Sequence, residues 1–324
     1  ELGVRPLRTA MQTDRYILKG GGPETWEPRF TYHGFRYVEV EGWPGTPDLK
    51  DLSAIVCHSD MERTGWFSCS EPLINQLHEN IVWSVRGNFF DIPTDCPQRD
   101  ERLGWTGDIQ IFAPTASYLY DCAGLLKSWL TDLALEQRND GAVPLFIPNI
   151  NDGPIVPSGA WGDAAVIVPW VLYWSFGDRG ILQAQFQSLC AWVDYLISTV
   201  GPSLIWSNGF QFGDWLDPNA PPEIPGDSRT DSTLVATAYF ARSAGLASRI
   251  AGILEQPAEK ERYAVLAKQI REAFANEFIS PNGRVVSDSA TAYSLVIQFG
   301  LAPDEAQRTR AGQQTSIRIF SMQP

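Results

Sequence analysis

Apolar positions along this chain change period at about residue 70. Before it, the run Phe30-Thr-Tyr-His-Gly-Phe-Arg-Tyr-Val-Glu-Val-Glu41 is rich in aromatic and β-branched residues with partial alternation, which predicts a strand. Shorter strands are expected over 52–58 and 65–68, with Gly42-Trp-Pro-Gly-Thr-Pro47 turning the chain. From Ser70 the spacing is helical. Ser70 is placed for an N-cap, Glu71 and Pro72 suit a first turn, and Leu73, Leu77, Ile81 and Val85 follow, with Gly87 as a stop. Further helices are predicted over 109–119, 123–137, 160–176 (kinked at Pro169), 179–199, 231–256, 258–278, 288–300 and 303–311. Residues 142–158 read as a Pro-rich loop, and 202–216 as a β-hairpin turning at Asn208-Gly209.

Nine helices joined by alternately short and long connections suit antiparallel pairs in an α/α toroid. A closed (α/α)6 barrel needs twelve helices, so the pattern predicts an incomplete one. The expected architecture is mainly α, in two parts. Residues 1–70 would be the last strands of a β-sandwich and a linker, and residues 71–324 a partial (α/α)6-barrel catalytic domain. No 20–50-residue repeat of the solenoid kind is present.

Composition narrows the function. The 324 residues carry a net charge of −13, which disfavours nucleic acid and anionic membranes and is compatible with a neutral substrate such as a sugar. The 12 Trp, 10 Tyr and 16 Phe serve a core first, but such rings also stack on the apolar faces of sugars. Five dispersed cysteines (Cys57, Cys69, Cys96, Cys122, Cys190) form no Cys-x-x-Cys pair, which argues against a disulfide framework or thiolate zinc site and favours a reducing, cytoplasmic setting. Three histidines (His33, His58, His78) stand at no metal-ligand spacing, and no cofactor is implied. No run of eighteen apolar residues suggests a membrane span. The chain starts at Glu1 with no signal-peptide pattern, which reads as a truncated or processed start.

The chemistry gathers in residues 91–108. Asp91, Asp95, Asp100, Glu101 and Asp108 share this stretch with Arg99 and Arg102, while Pro93, Pro97, Gly104 and Gly107 oppose regular structure. Carboxylates this close favour one another's protonated forms, while arginines hold others ionised. That division suits glycoside hydrolysis. A solvated helix connection is the bland alternative. Trp105 and the apolar runs on both sides argue against full solvation.

The stretch Asp95-Cys-Pro-Gln-Arg-Asp-Glu-Arg-Leu-Gly-Trp-Thr-Gly-Asp108 resembles the signature loop of the inverting α-L-rhamnosidases, glycoside hydrolase family 78. The 30–38 run resembles the segment preceding that family's barrel. The resemblance implies an (α/α)6 catalytic domain that removes terminal α-L-rhamnose from glycosides or polysaccharides. It places Glu101 as the general acid, with a salt bridge to Arg99 or Arg102 as its alternative role. It implies sugar contacts for Asp95, Arg99, Trp105 and Asp108, although Asp108 could equally cap a helix. Asp91 and Asp100 would support the others. Ser158-Gly-Ala-Trp-Gly-Asp163 and Gly213-Asp-Trp-Leu-Asp-Pro218 also resemble family segments, giving Trp161 at a helix start and Trp215 on a loop as subsite residues. Asp163 and Asp214 are weaker additions.

Inverting hydrolysis needs a second carboxylate about 6.5–9.5 Å from the acid to activate water. The family's glutamate for this task stands in a Trp-Glu-Arg-Trp-like run that is not found after residue 220, and the tail beyond Gly312 departs from the family. The general base is therefore expected to be missing, and the chain by itself to be nearly inactive. Three rivals are a carbohydrate-binding fragment without activity, an α/α-barrel glycosidase of other sugar specificity, and a calcium site. The spacing of the acids and the two embedded arginines argue against the last.

Overall fold

A computed structural model describes residues 2–150 and 156–320. It contains two compact units, Glu1–Gly104 and Trp105–Pro324. The break between them falls inside the acidic stretch, so Asp95 to Gly104 belong to the first unit and Trp105 to Asp108 to the second.

In the first unit, α1 (Pro72–Asn88) leads into β1 (Phe89–Phe90) and β2 (Ile92–Pro93), a minimal antiparallel pair turning at Asp91 with φ 67°. Pro72 takes the first helical position, where its missing N–H costs nothing. The N-cap is Glu71 rather than Ser70, and its side chain accepts from the Leu73 N–H at 3.2 Å. The helix runs past Gly87 and closes at Phe89, whose N–H donates to the Val85 carbonyl. Its buried positions are Val82 and Val85, whereas Leu73 and Leu77 are exposed.

The strands expected over 30–41, 52–58 and 65–68 are not found. Among the described residues of this unit, structure before α1 is limited to two 3-10 turns, Arg5–Leu7 and Leu49–Asp51, and a single isolated bridge residue, Arg63. A strand exists only where a neighbour takes up its N–H and C=O groups. The aromatic, β-branched composition of these runs confers strand propensity, but propensity supplies no partner.

The second unit holds eight of the nine described helices: α2 (Thr106–Leu119), α3 (Ala123–Glu136), α4 (Ala164–Phe176), α5 (Arg179–Val200), α6 (Ser232–Ile253), α7 (Pro257–Phe278), α8 (Ala290–Phe299) and α9 (Glu305–Phe320). Every predicted helix is present. Helices α2, α4, α6 and α8 pack in succession, and α5, α7 and α9 each pack on the helix before them, with α3 against α4 and α5. This two-layer alternation is the toroid arrangement. It explains why α4 is apolar nearly all round and why α6 buries most of its length: each has neighbours in its own layer and in the other.

Helix α4 continues through Pro169, as α2 does through Pro114. No described helix is long and apolar enough to cross a membrane. The hairpin expected over 202–216 does not form. Its backbone bonds go to side chains instead: Trp206 N–H donates to Thr237 Oγ1 (3.1 Å) and Phe212 N–H to Ser158 Oγ (3.2 Å). Part of the loop expected over 142–158 (residues 151–155) and the last four residues of the tail lie outside the described residues.

Candidate active site

The acidic loop of the first unit is closed by Asp95. Its N–H donates to the Leu103 carbonyl (3.0 Å) and its Oδ1 accepts from the Leu103 N–H (2.9 Å), so one residue ties both ends of the 95–103 loop. Thr94 adds a second tie, donating from its N–H and hydroxyl to the Asn88 carbonyl at the end of α1. Within the loop, Arg99 reaches two carboxylates: Nη2 donates to Asp95 Oδ2 at 3.0 Å and Nε to Glu101 Oε2 at 2.9 Å. The structure thus brings Asp95, Arg99 and Glu101 together. Asp95 is the most enclosed, its side chain 5% exposed.

The ion pair to Arg99 foreseen for Glu101 is present. Arg8 adds another to the same oxygen, Nη1 to Oε2 at 2.6 Å. No motif or spacing points to Arg8, which lies 93 residues away. The surrounding segment participates too: Thr9 donates to Asp100 Oδ2 and Gln12 to the Gln98 carbonyl. Arg102 takes no part in the bonds that join Asp95, Arg99 and Glu101, and binds Tyr32. Its Nη2 donates to the Tyr32 carbonyl (3.0 Å) and its guanidinium lies 4.4 Å from the Tyr32 ring centre, while Tyr32 stacks on Phe90. Asp91 and Asp100 are exposed.

An oxygen each from Asp95 and Glu101 and the Cys96 Sγ lie within 4.8 Å of one another, the spacing of a three-ligand metal group. Arg99 already bridges the two carboxylates, and burial pushes the Cys96 thiol up, away from the thiolate a metal would need. The donor set does not fit a cation.

In the second unit, Trp105 is the N-cap of α2, and Asp108 is the third helical residue, exposed in the first turn. The cap role considered for Asp108 is therefore overturned. Its charge still lies at the positive end of the helix. Trp161 stands in the turn before α4 rather than at its first residue, and Trp215 is on a loop.

These three indoles meet at a residue that sequence reasoning did not single out, Phe212. Trp161 stacks on it with ring centres 4.3 Å apart, and Trp215 (4.9 Å) and Trp105 (6.1 Å) approach edge-on, as does Phe210 (4.8 Å). Phe146 also packs edge-on against Trp105, with ring centres 5.1 Å apart. A Cβ on Gly107 would lie 2.5 Å from the Trp161 ring, so only glycine admits the indole there. Trp161 Nε1 is buried without a hydrogen-bond partner among the described residues, and so is Gln211 Nε2 beside Phe212.

Two further aspartates organise the loops carrying these rings. Asp214 Oδ2 accepts from Thr230 Oγ1 at 2.8 Å. Asp217 accepts from both nitrogens of Asn219 and from the Arg229 N–H, and pairs with the Arg229 guanidinium at 3.5 Å. Burial pushes the Asp217 carboxyl up, but these donors and the Arg229 charge outweigh it and lower its pKa to about 2.

Two family profiles match the sequence. That of the bacterial alpha-L-rhamnosidase 6 hairpin glycosidase domain covers residues 62–321, and that of the bacterial alpha-L-rhamnosidase concanavalin-like domain covers residues 1–58. Among curated proteins, an alpha-L-rhamnosidase of Streptomyces avermitilis is 44% identical over 314 residues, covering 96% of this chain and 29% of that protein. One of Formosa agariphila is 40% identical over 316 residues, covering 96% and 34%. Among solved structures, the native rhamnosidase from Aspergillus terreus is similar with a TM-score of 0.96 at 46% identity, covering 99% of this chain and 38% of that one. The S. avermitilis rhamnosidase complexed with L-rhamnose gives 0.91 at 41%, covering 99% and 30%. The chain spans about a third of the length of the curated relatives it matches.

Proposed function

Because the chain belongs to the bacterial alpha-L-rhamnosidase six-hairpin glycosidase family, we propose that the protein carrying it hydrolyses terminal α-L-rhamnosides with inversion, using Glu101 as general acid. The observation that carries this reading is the Asp95–Arg99–Glu101 cluster, held at the closure of a loop inside the matched region.

Glu101 gives its proton to the glycosidic oxygen as the bond from that oxygen to the anomeric carbon breaks. Water attacks that carbon from the opposite face and surrenders its proton to a second carboxylate, which we do not assign to this chain. Asp95 and Arg99 are the first unit's candidates for contact with sugar hydroxyls, Asp95 as acceptor and Arg99 as donor. Those of the second unit are Trp105, Asp108, Trp161 and Trp215. Rhamnose bears a methyl where many hexoses carry a primary hydroxyl, and indole faces suit it. The chemistry needs no cofactor.

The test is turnover of 4-nitrophenyl α-L-rhamnopyranoside by the protein that carries this chain, with and without Glu101→Gln. The variant should lose at least about a hundredfold in kcat, within the range for a missing acid. Unchanged turnover in the variant would overturn the assignment. Rhamnose binding with no turnover of any rhamnoside by the unaltered protein would favour a binding role in its place.

A further inference from the structure

Asp163 is fully buried, yet none of its partners among the described residues is a cation. Its Oδ2 accepts from the Ala160 N–H at 2.8 Å, and its Oδ1 accepts from Trp192 Nε1 of α5 (3.1 Å) and from Ser243 Oγ of α6 (2.5 Å). An N–H of the backbone and one of an indole can only donate, so both Asp163 oxygens act as acceptors here, as a carboxylate's do. Burial nevertheless pushes the Asp163 carboxyl above the ordinary range, with the three donors pulling the other way. A buried anion held only by neutral donors is costly. A plain helix start could be capped by an exposed serine or aspartate at less cost.

What the anion holds is the turn that presents Trp161. Ala160 has φ 69°, a left-handed conformation that a residue with a side chain keeps only where its surroundings enforce it. The residues around it have no room to shift. A Cβ on Gly159 would lie 2.6 Å from Ala236 Cα, and one on Gly162 would lie 2.2 Å from the Trp192 ring. Ser158 and Gly159 are in turn bound to Gln211 Oε1, and Ser158 Oγ accepts from the Phe212 N–H. The turn thus places Trp161 and the Phe212 on which it stacks as one piece.

We propose that Asp163 is a positioning residue: through the Ala160 N–H it fixes the strained 158–163 turn and with it the Trp161 ring, so that it governs sugar affinity rather than bond cleavage. This rests on the rhamnoside reading above, in which Trp161 contacts the sugar. Asp163 itself touches no substrate.

The experiment follows two signals in the full chain: L-rhamnose affinity by calorimetric titration, and the 19F line of Trp161 in 5-fluorotryptophan-labelled protein, assigned by its loss in Trp161→Phe. Asp163→Asn sets an amide N–H against one of the three donors. It should weaken rhamnose binding at least tenfold and move the Trp161 line. In the protein that turns over rhamnosides it should raise KM by a similar factor with a smaller change in kcat. Adding Ala160→Gly should restore part of the affinity and return the line toward its original position, since glycine adopts φ 69° without help. If Asp163→Asn does not fold, Ser243→Ala, which removes one donor and leaves the Ala160 bond intact, should show the same changes to a smaller degree. An Asp163→Asn protein that melts lower but keeps both rhamnose affinity and the Trp161 line would overturn the proposal, as would a double variant with no rescue. If the unaltered chain binds no rhamnose, the sugar reading of Trp161 fails and the affinity clause with it. The 19F line then decides whether Asp163 fixes the ring.

Discussion

Asp217 shows how much one side chain can carry when every lone pair is used. Its two oxygens serve Asn219 and Arg229 across the loop that also bears Trp215. Its folded pKa of about 2 lies below the ordinary 3.8, so the stabilisation is complete above about pH 4 and is lost as pH falls toward 2. Asp217→Asn should therefore cost about 2 kcal/mol near neutrality. That deficit should shrink steadily between about pH 4 and pH 2, measured as the difference in melting temperature between the two proteins. A deficit independent of pH would assign the effect to shape rather than charge. No sequence pattern pointed to Asp217 for this role. Asn219 is a local partner, but Arg229 comes from twelve positions away. Phe212 was missed for a similar reason: nothing in Phe210-Gln-Phe212 says that three tryptophans from separate segments will converge on it.

The helices were the legible part, because most of them write their own apolar period over ten or more residues, and α4, apolar nearly all round, is marked by its length and its Gly177 stop. Their ends were less so. Trp105, which has no side-chain cap bond, starts α2 three residues ahead of Asp108, although an acidic residue was the chemically better cap. The β segments were the illegible part, since a strand is a property of two segments and the pattern was read in one. The caps that do form give a test at this scale. Asp231 Oδ1 accepts from Thr233 and Leu234 N–H at the start of α6, and Ser289 Oγ accepts from Ala292 N–H at the start of α8. Ser289 also shares a 2.7 Å hydrogen bond with Thr230, which links to Asp214. Asp231→Ala and Ser289→Ala should each lower stability by about 1–2 kcal/mol in chemical denaturation. The second should also perturb the fluorescence of Trp215, one residue from Asp214. An effect of Asp231→Ala below about 0.3 kcal/mol would mean that tertiary packing alone sets the α6 start.

For the molecule as a whole, the scattered cysteines argued against a disulfide framework, and all five are free. Their surroundings divide them. Cys57 and Cys69 are exposed. Cys96 and Cys122 are buried, and Cys190 is partly covered with its thiol pushed up to about 11 by burial. A thiol reagent added to the native protein should modify two sulfurs quickly and the other three only as the chain unfolds. Rapid modification of Cys122 and Cys190 would mean that the helical unit opens far more readily than its packing indicates.

The meeting of Trp105, Trp161 and Trp215 on one phenylalanine also bears on how this sequence can drift. Positions that share a neighbour do not vary independently. Replacing Phe212 by leucine should change what each tryptophan contributes, so a Trp161→Phe, Phe212→Leu cycle should show a coupling of at least about 0.5 kcal/mol in stability. Additive effects would mean that the rings touch without depending on one another. If the coupling holds, a lineage that lost the aromatic ring at 212 would change the value of three tryptophans in a single substitution, and would regain them most readily by reverting it.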